Sequence, residues 1–381
     1  MIAYVFPTRD RHVEVRRTLM AIESLGSHAS VGGAEVLIAD NAGSIPLDLP
    51  VSLRSGLPVR VLERERNEGA AARNACVRAA SGLVQWIVML DDDSAPLDTG
   101  LFDAIRDAGP DVAAVQARIS LPRERGILRH ESGGLPEVFI GCGVAIRRSV
   151  FEQLGGYDPS FDYYAEEYDL SARMIAAGCR IAYDPRFRVE HRKVQSNRDF
   201  GRIVRRLVRN NAWVQARYAP GGDLPADLWE TVSRYFAIAR KERALGGYFA
   251  GVRELVTSIA DQPRTPLSRE QYDRLTGLAH AREALRSAWS ERPYATAAVI
   301  APGKNVKLIV RAARELGVDV EVCGPQQTSR AERAEALIIG TLSPGPMLDA
   351  LADALLQFPG KRIVLPWRGV DAVRLAKRQA A

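Results

Sequence analysis

VQWIVMLDDDS, residues 84–94, sets an apolar run that ends at Leu90 against three adjacent carboxylates, Asp91, Asp92 and Asp93. The run reads as a buried strand, and the end of a strand leaving a core is a costly place for three like charges unless something cationic meets them. Short apolar runs of the same kind recur on both sides: IAYVF (2–6), EVLIA (35–39), VRVLE (59–63), VAAVQARI (112–119) and VFIGCGVAI (138–146). Helical patterns lie between them. Val15, Leu19 and Ile22 mark one helix face, and Ala70 to Ala80 reads as another helix, closed by Ser81 and Gly82. This alternation predicts a doubly wound α/β domain, in which ligands bind beyond the carboxyl ends of the strands.

From about residue 192 to 286 strand signals are few and helical ones many, with a break at DQPRTP (261–266). The pattern then changes back. TAAVI, a helix from Asn305 to Leu316 closed by Gly317, VDVEVCG, EALIIG, a helix from Pro346 to Leu356 and KRIVLPW predict a βαββαβ unit of about half a nucleotide-binding domain. Its IAPGKN turn fits neither GxGxxG nor a P-loop, so the unit reads as a docking or dimerisation module. The expected division is 1–215, 216–292 and 293–381.

A chain of 381 residues suits two or three domains, and 46% hydrophobic with 26% charged residues is the balance of a soluble globular protein. No apolar run approaches the ~20 residues of a membrane span. MIAYVFPTRD turns polar too early for a secretory signal, so the expected location is cytoplasmic. Cys76, Cys142, Cys179 and Cys323 lie far apart without a CxxC pair and suggest neither a zinc ribbon nor a disulfide framework. The formal charge, 52 minus 46 or +6, suits an anionic ligand or a membrane surface without selecting either, and nothing calls for a nucleic-acid partner.

Chemically useful residues gather at the expected strand ends. Pro7-Thr8-Arg9-Asp10-Arg11 follows the first strand, Asp40-Asn41-Ala42-Gly43 the second, and Asn67-Glu68-Gly69 with Arg73-Asn74 the third; the acidic triplet follows the fourth. A divalent cation carrying a diphosphate would neutralise the triplet, because hard cations are held by one or two carboxylates plus substrate phosphates. A DxD by itself equally suits a solvated loop or a helix cap. In YYAEEYDL (163–170), Leu170, Met174 and Gly178 predict a helix starting near Glu166, whose dipole favours acidic residues in its first turn.

The ordered set VFPTRDR, LIADNAGS, RNEGAAARNA, VMLDDD, GCGVAIRRSVFEQLGGYD, YYAEEYDL and VEHRK resembles glycosyltransferase family 2 over about residues 1–215. These are GT-A enzymes that move a sugar from a nucleotide diphosphate sugar. The resemblance implies a GT-A doubly wound mixed sheet, followed here by a helical extension and a small C-terminal Rossmann-like α/β domain. It also implies metal-dependent, inverting transfer to an acceptor hydroxyl, with Mn²⁺ or Mg²⁺ as cofactor. By the same resemblance the nucleotide sugar lies against Pro7, Thr8, Arg9, Arg11 and Asp40, with Asn67, Gly69 and Arg73 on the family's NxGxxxARN segment. Asp91 and Asp92 match positions that contact the ribose or support the site. Asp93 matches the carboxylate that binds metal, and His191 a later histidine that contacts metal or phosphate. Gly141, Cys142 and Gly143 frame the acceptor. Glu166-Glu167 matches a Glu-Asp pair whose second member is the general base, which makes Glu167 the expected catalytic residue and sets Glu166 on the acceptor side. Two residues depart from the pattern: Asp10 stands where the family usually has Asn, and Glu167 is longer by a methylene than Asp.

Two other classes compete. A sugar nucleotidyltransferase also sets Asp at the end of an α/β sheet but opens with a glycine-rich loop, which VFPTRDR lacks. A noncatalytic nucleotide-sugar-binding protein of the same fold has no need of an intact acidic pair and triplet. The expected partners are a nucleotide diphosphate sugar and a hydroxyl-bearing acceptor, whether a glycan, a lipid-linked or a small molecule; the C-terminal domain suggests a homo-oligomer contact. RIVRRLVRN (202–210) sets Arg202, Arg205, Arg206 and Arg209 opposite Ile203, Val204, Leu207 and Val208. It reads either as a peripheral membrane or acceptor-phosphate contact, or as a packed helix with a solvated charged face.

Overall fold

The computed structural model describes residues 1–193 and 199–369, so residues 370–381 of the expected C-terminal domain lie outside the described residues. The class is mixed α/β. In chain order the elements are β1 (Ile2–Thr8), α1 (His12–Ser24), β2 (Ala34–Asp40), β3 (Val59–Glu63), α2 (Ala72–Ala79), β4 (Trp86–Met89), β5 (Ser94–Pro96), α3 (Gly100–Arg106), β6 (Val112–Ser120), β7 (Val144–Arg147), α4 (Arg148–Gln153), α5 (Glu166–Ala176) and β8 (Arg180–His191). Then come α6 (Phe200–Tyr218), α7 (Leu224–Lys241), α8 (Leu245–Ser258), α9 (Arg269–Thr276), α10 (Leu278–Glu291), β9 (Thr296–Ile300), α11 (Val306–Arg314), β10 (Asp319–Val322), α12 (Thr328–Arg333), β11 (Ala336–Ile339), α13 (Pro344–Gln357) and β12 (Ile363–Val364). They form two compact units, each discontinuous in sequence. One takes residues 1–95, 145–179 and 193–272; the other takes 96–144, 180–192 and the chain from 273 onward.

In the first unit β3, β2, β1 and β4 lie side by side in that order, all parallel. Thr8 lies opposite Asp40, and Val5 opposite Met89. Every residue of β1 and β2 is buried, which is why these strands read as continuous apolar runs and not as alternating ones. With β2 on one side of β1 and β4 on the other, the winding reverses at β1, and a crevice opens at the carboxyl ends where Thr8, Asp40 and the acidic triplet stand.

The same unit holds α6, α7 and α8 around a core of Val204, Val208, Tyr235, Ala239, Ala244 and Tyr248. Gly247 and Gly251 bring α8 close to α6, since a Cβ at either would fall 2.0 Å from Gly201 O or 2.4 Å from Arg205 O. The basic helix of the sequence is part of α6. Its apolar side is packed, and its arginines are paired: Arg205 and Arg209 with Glu254, and Arg206 with Asp162. Among the described residues no helix is long and apolar enough to cross a membrane.

In the second unit β6 and β8 pair in parallel, with a register jump from Ala117–Asp184 to Arg118–Arg188. Pro185 lies in the skipped segment and has no N–H for the ladder, so the strand bulges there. The run expected as a strand over 138–146 is one only from Val144. Leu135 and Val138 form an isolated bridge and Gly143 N donates to Ile140 O at 3.1 Å, so the chain turns through residues that are buried without being extended. The C-terminal strands lie in the order β10-β9-β11-β12, all parallel. The expected βαββαβ is βαβαβαβ. Joining β10 to β11 across β9 needs a crossover, and α12 supplies it; its six residues are too few to show a helical period.

Candidate active site

Within the first unit's crevice two arginines meet the triplet. Arg11 Nη1 donates to Asp92 Oδ1 at 2.5 Å and Nη2 to Asp93 Oδ2 at 2.7 Å. Thr8 Oγ1 donates to Asp92 Oδ2 at 2.8 Å, and Thr18 Oγ1 to the Asp92 carbonyl at 2.7 Å. Arg73 pairs with Asp91, and its Nη2 donates to Leu90 O at 2.8 Å. Burial works against the charge on Arg73, but Asp91 and its other neighbours outweigh it and raise its pKa further. Three carboxylates stand against two guanidinium groups, with Asp92 and Asp93 each 4% exposed. Burial pushes Asp92 up to about 7, with Arg11 and Thr8 pulling the other way. Clustered carboxylate oxygens are what a hard divalent cation binds, so these residues fit one.

The neighbouring loops are tied to the sheet end. Pro7 lies opposite Ala39 in the β1–β2 ladder, and Arg9 is exposed. Asp40 Oδ1 accepts from Gly43 N at 3.0 Å. Asp10 is turned away by Ser44, whose N and Oγ both donate to its Oδ1 at 2.6 and 2.8 Å and lower its pKa. Asn41 holds the β3–α2 loop: its Oδ1 accepts from Glu68 N at 2.8 Å and its Nδ2 donates to Gly69 O at 3.1 Å. Asn67 Oδ1 accepts from Gly69 N at 3.0 Å. Gly69 has φ +60°, and a Cβ there would fall 2.2 Å from Asp162 O. Only glycine lets this loop touch the 162–165 loop.

That second loop carries the acidic pair. Asp162, Tyr164 and Ala165 have φ of +61°, +72° and +68°, unfavourable for residues with a Cβ. Asn210 of α6, fully buried, holds them: Nδ2 donates to the carbonyls of Phe161, Tyr163 and Tyr164 at 2.8, 2.9 and 2.8 Å. The helix that follows, α5, is anchored by Asp169, which accepts from Arg217 Nη1 at 2.8 Å and Tyr218 Oη at 2.7 Å. Glu166, Glu167 and Asp169 all lie in its first turn, where the dipole favours carboxylates. Glu166 is buried, and its Oε2 has no hydrogen-bond partner among the described residues. Burial and then the charge of Glu167 raise its pKa well above the usual carboxyl range, with Arg73 and Asp91 also within electrostatic reach. Glu167 is the more exposed of the two.

The remaining sequence-derived candidates, Gly141, Cys142, Gly143 and His191, belong to the second unit. A Cβ at Gly143 would fall 2.8 Å from the Ile119 side chain. His191 Nδ1 lies 2.7 Å from Glu131 Oε2 and 3.7 Å from Cys142 Sγ. Sequence reasoning missed Thr18, Asn210 and Glu131 as supports, and named Asn41 only as one of the residues at the end of the second strand. Asn210 left a signal, an amide at helical spacing from Leu207 and Val214; Glu131 left none.

Residues 6–160 match the model of the family described as glycosyl transferase family 2. The pre-mycofactocin glycosyltransferase of Mycobacterium tuberculosis (strain ATCC 25618 / H37Rv) is 26% identical over 214 residues, 50% of this chain and 42% of that protein. The O-antigen chain rhamnosyltransferase WbaN of Salmonella anatum is 38% identical over 93 residues, 23% of this chain and 29% of that protein. The chain thus spans less than half the length of either relative. The structure of GalNAc-T7 with UDP, GalNAc and Mn²⁺ superposes with a TM-score of 0.49 at 17% identity, covering 71% of this chain and 59% of that one.

Proposed function

We propose, of a chain whose residues 6–160 belong to glycosyl transferase family 2, that it is a metal-dependent, inverting glycosyltransferase of GT-A type, moving a sugar from a nucleotide diphosphate sugar to an acceptor hydroxyl. One observation carries this reading: Arg73 pairs with Asp91 and stands within electrostatic reach of Glu166, so two acidic motifs far apart in sequence lie near one buried cation. That is the arrangement expected where a donor diphosphate and an acceptor base must share a crevice.

In this reading the nucleotide sugar lies along Pro7, Thr8, Arg9, Arg11, Asp40, Asn67, Gly69, Arg73, Asp91 and Asp92. Asp93 is the carboxylate that holds Mn²⁺ or Mg²⁺; His191 as a ligand, and Gly141, Cys142 and Gly143 as acceptor contacts, rest on the resemblance alone. When bound, the ion supplies charge stabilisation to the leaving diphosphate. Glu167 takes the proton of the acceptor hydroxyl as its oxygen attacks the anomeric carbon opposite the departing diphosphate, which inverts that centre without a covalent intermediate. A neutral Glu166 beside it lets the pair avoid carrying two adjacent charges, a division of roles common in carboxylate pairs. The division into 1–215, 216–292 and 293–381 and a cytoplasmic location belong to the same proposal.

Thermal shift with UDP, GDP, dTDP and CDP, each with and without Mn²⁺, tests it, because a ligand of the folded state raises apparent stability. The expected result is a shift with one nucleotide that requires the metal and is lost in folded Asp93→Ala. A folded protein that no nucleotide shifts would sink the reading.

A further inference from the structure

In the first unit α7 and α8 each carry two apolar sides. One is buried: Tyr235 and Ala239 of α7 and Tyr248 of α8 join the core that these helices share with α6. The other faces solvent. On α7 Trp229 and Phe236 are 74% and 41% exposed, and on α8 Leu245, Phe249 and Val256 are 37%, 60% and 70% exposed. Residues seven apart on α7, and four then seven apart on α8, share one face of their helix. A surface helix needs one apolar stripe, toward its core. Single exposed apolar residues are ordinary, but a second stripe on two neighbouring helices marks a contact surface.

The two stripes adjoin. α7 ends at Lys241 and α8 begins at Leu245, so the pair is an antiparallel hairpin with a short connection. Near that connection the rings of Phe236 and Tyr248 lie 5.5 Å apart and those of Tyr248 and Phe249 5.4 Å, which joins the exposed phenylalanines of the two helices through one buried tyrosine. Trp229 and Val256 stand about two turns further from the connection on their own helices.

Cations gather at the same end. Arg240, Lys241 and Arg243 are exposed around a single carboxylate, Glu242, and none of the three makes an ion pair among the described residues. The arginines of α6 differ, since Arg205, Arg206 and Arg209 are held by Glu254 and Asp162. Arg253, one turn after Phe249, adds an exposed cation beside the α8 stripe, and the exposed Glu230 lies toward the opposite end of α7. An apolar face rimmed by long cationic side chains matches a surface that offers hydrocarbon below and anionic oxygens above, because such side chains lay their stems on apolar ground and keep their charge at its edge.

We propose that the outer face of the α7–α8 hairpin docks on a bilayer containing anionic phospholipid. Trp229, Phe236, Phe249 and Val256 enter the interface, and Arg240, Lys241 and Arg243 meet the headgroup phosphates. The membrane contact then belongs to α7 and α8 and not to the arginine-rich α6. It goes beyond the transferase reading and does not depend on it, since neither nucleotide nor metal takes part.

Sedimentation of the full chain with vesicles of phosphatidylcholine, alone or with about a third phosphatidylglycerol, tests this. Binding is expected to the anionic vesicles and to weaken as salt is raised. Lys241→Gln with Arg243→Gln is expected to weaken it about 25-fold, and Phe249→Ser about tenfold, in proteins whose thermal unfolding matches wild type. Trp229 is the one exposed tryptophan of five, so brominated lipid should quench fluorescence in wild type and much less in Trp229→Phe. No binding to the anionic vesicles, or wild-type binding by Phe249→Ser, overturns the docking face. Equal binding to neutral vesicles overturns the role of the cations, and quenching that persists in Trp229→Phe overturns the orientation. A lipid-free dimer in sedimentation equilibrium that Phe249→Ser dissociates would assign the face to a second copy and overturn the proposal.

Discussion

Asn210→Leu separates hydrogen bonding from packing in the loop that presents the acidic pair. The two side chains share the same branched arrangement of four heavy atoms, so the change removes donors and leaves no cavity. Arg209 Nε donates to Asn210 Oδ1 at 2.8 Å, which fixes the amide with its nitrogen toward the loop. That nitrogen has two protons for three carbonyls, so one proton is shared. In the leucine variant the buried Phe161 carbonyl and the part-buried Tyr163 and Tyr164 carbonyls lose their donor, at ~1–3 kcal/mol for a buried group and less for the other two. The expected destabilisation is therefore about 2–4 kcal/mol, a large share of the ~5–15 kcal/mol that keeps a domain folded. Asn210 also offsets the backbone cost at Asp162, Tyr164 and Ala165, ~1–2 kcal/mol for each positive φ, so these residues should relax once it is gone. Urea unfolding gives the first quantity. Hydrogen exchange at amides 161–166, compared with those of β1, gives the second. A stability change under ~0.5 kcal/mol with unchanged exchange would refute the reasoning, because the loop would then hold its conformation unaided.

Glu167→Gln should leave nucleotide affinity nearly intact and slow transfer by ~10²–10⁴-fold, the contribution of a general base; full turnover would move that role elsewhere. Gly69→Ala should lower stability by about 2–4 kcal/mol, from a positive φ and a Cβ driven into Asp162 O, and thermal unfolding at wild-type temperature would show that the two loops separate freely. In the second unit, burial of Glu137 opposes its ionisation, but hydrogen bonds from Arg274 and His280 outweigh it and hold it at about 2. A carboxylate with a depressed folded pKa contributes stability above its unfolded value of ~4.5 and loses it as pH falls toward 2. Glu137→Gln should thus cost up to about 3 kcal/mol at neutral pH and lie progressively closer to wild type between pH 4.5 and 2. A stability difference that stays constant across that window would show the pairing to be weak.

Much of the architecture was legible because it is written locally. β1, β2 and β3 came within two residues of their ends, since strands buried on both faces leave unbroken apolar runs. The start of α5 at Glu166 followed from apolar spacing and a closing glycine. The same criterion failed at 138–143, where buried apolar residues turn. It also failed at α12, which is shorter than the window that periodicity needs.

The candidate site divides along the same line. Sequence by itself determined which residue types stand at the strand ends, because a strand's length and exit are decided by its own side chains. Only the tertiary structure decided what each of them faces: Arg11 meets Asp92 across 81 positions, Asn210 reaches Phe161 across 49, and Glu131 reaches His191 across 60. Such pairs follow no period, since a hydrogen bond depends on where two backbones arrive in space and not on the spacing between their residues along the chain.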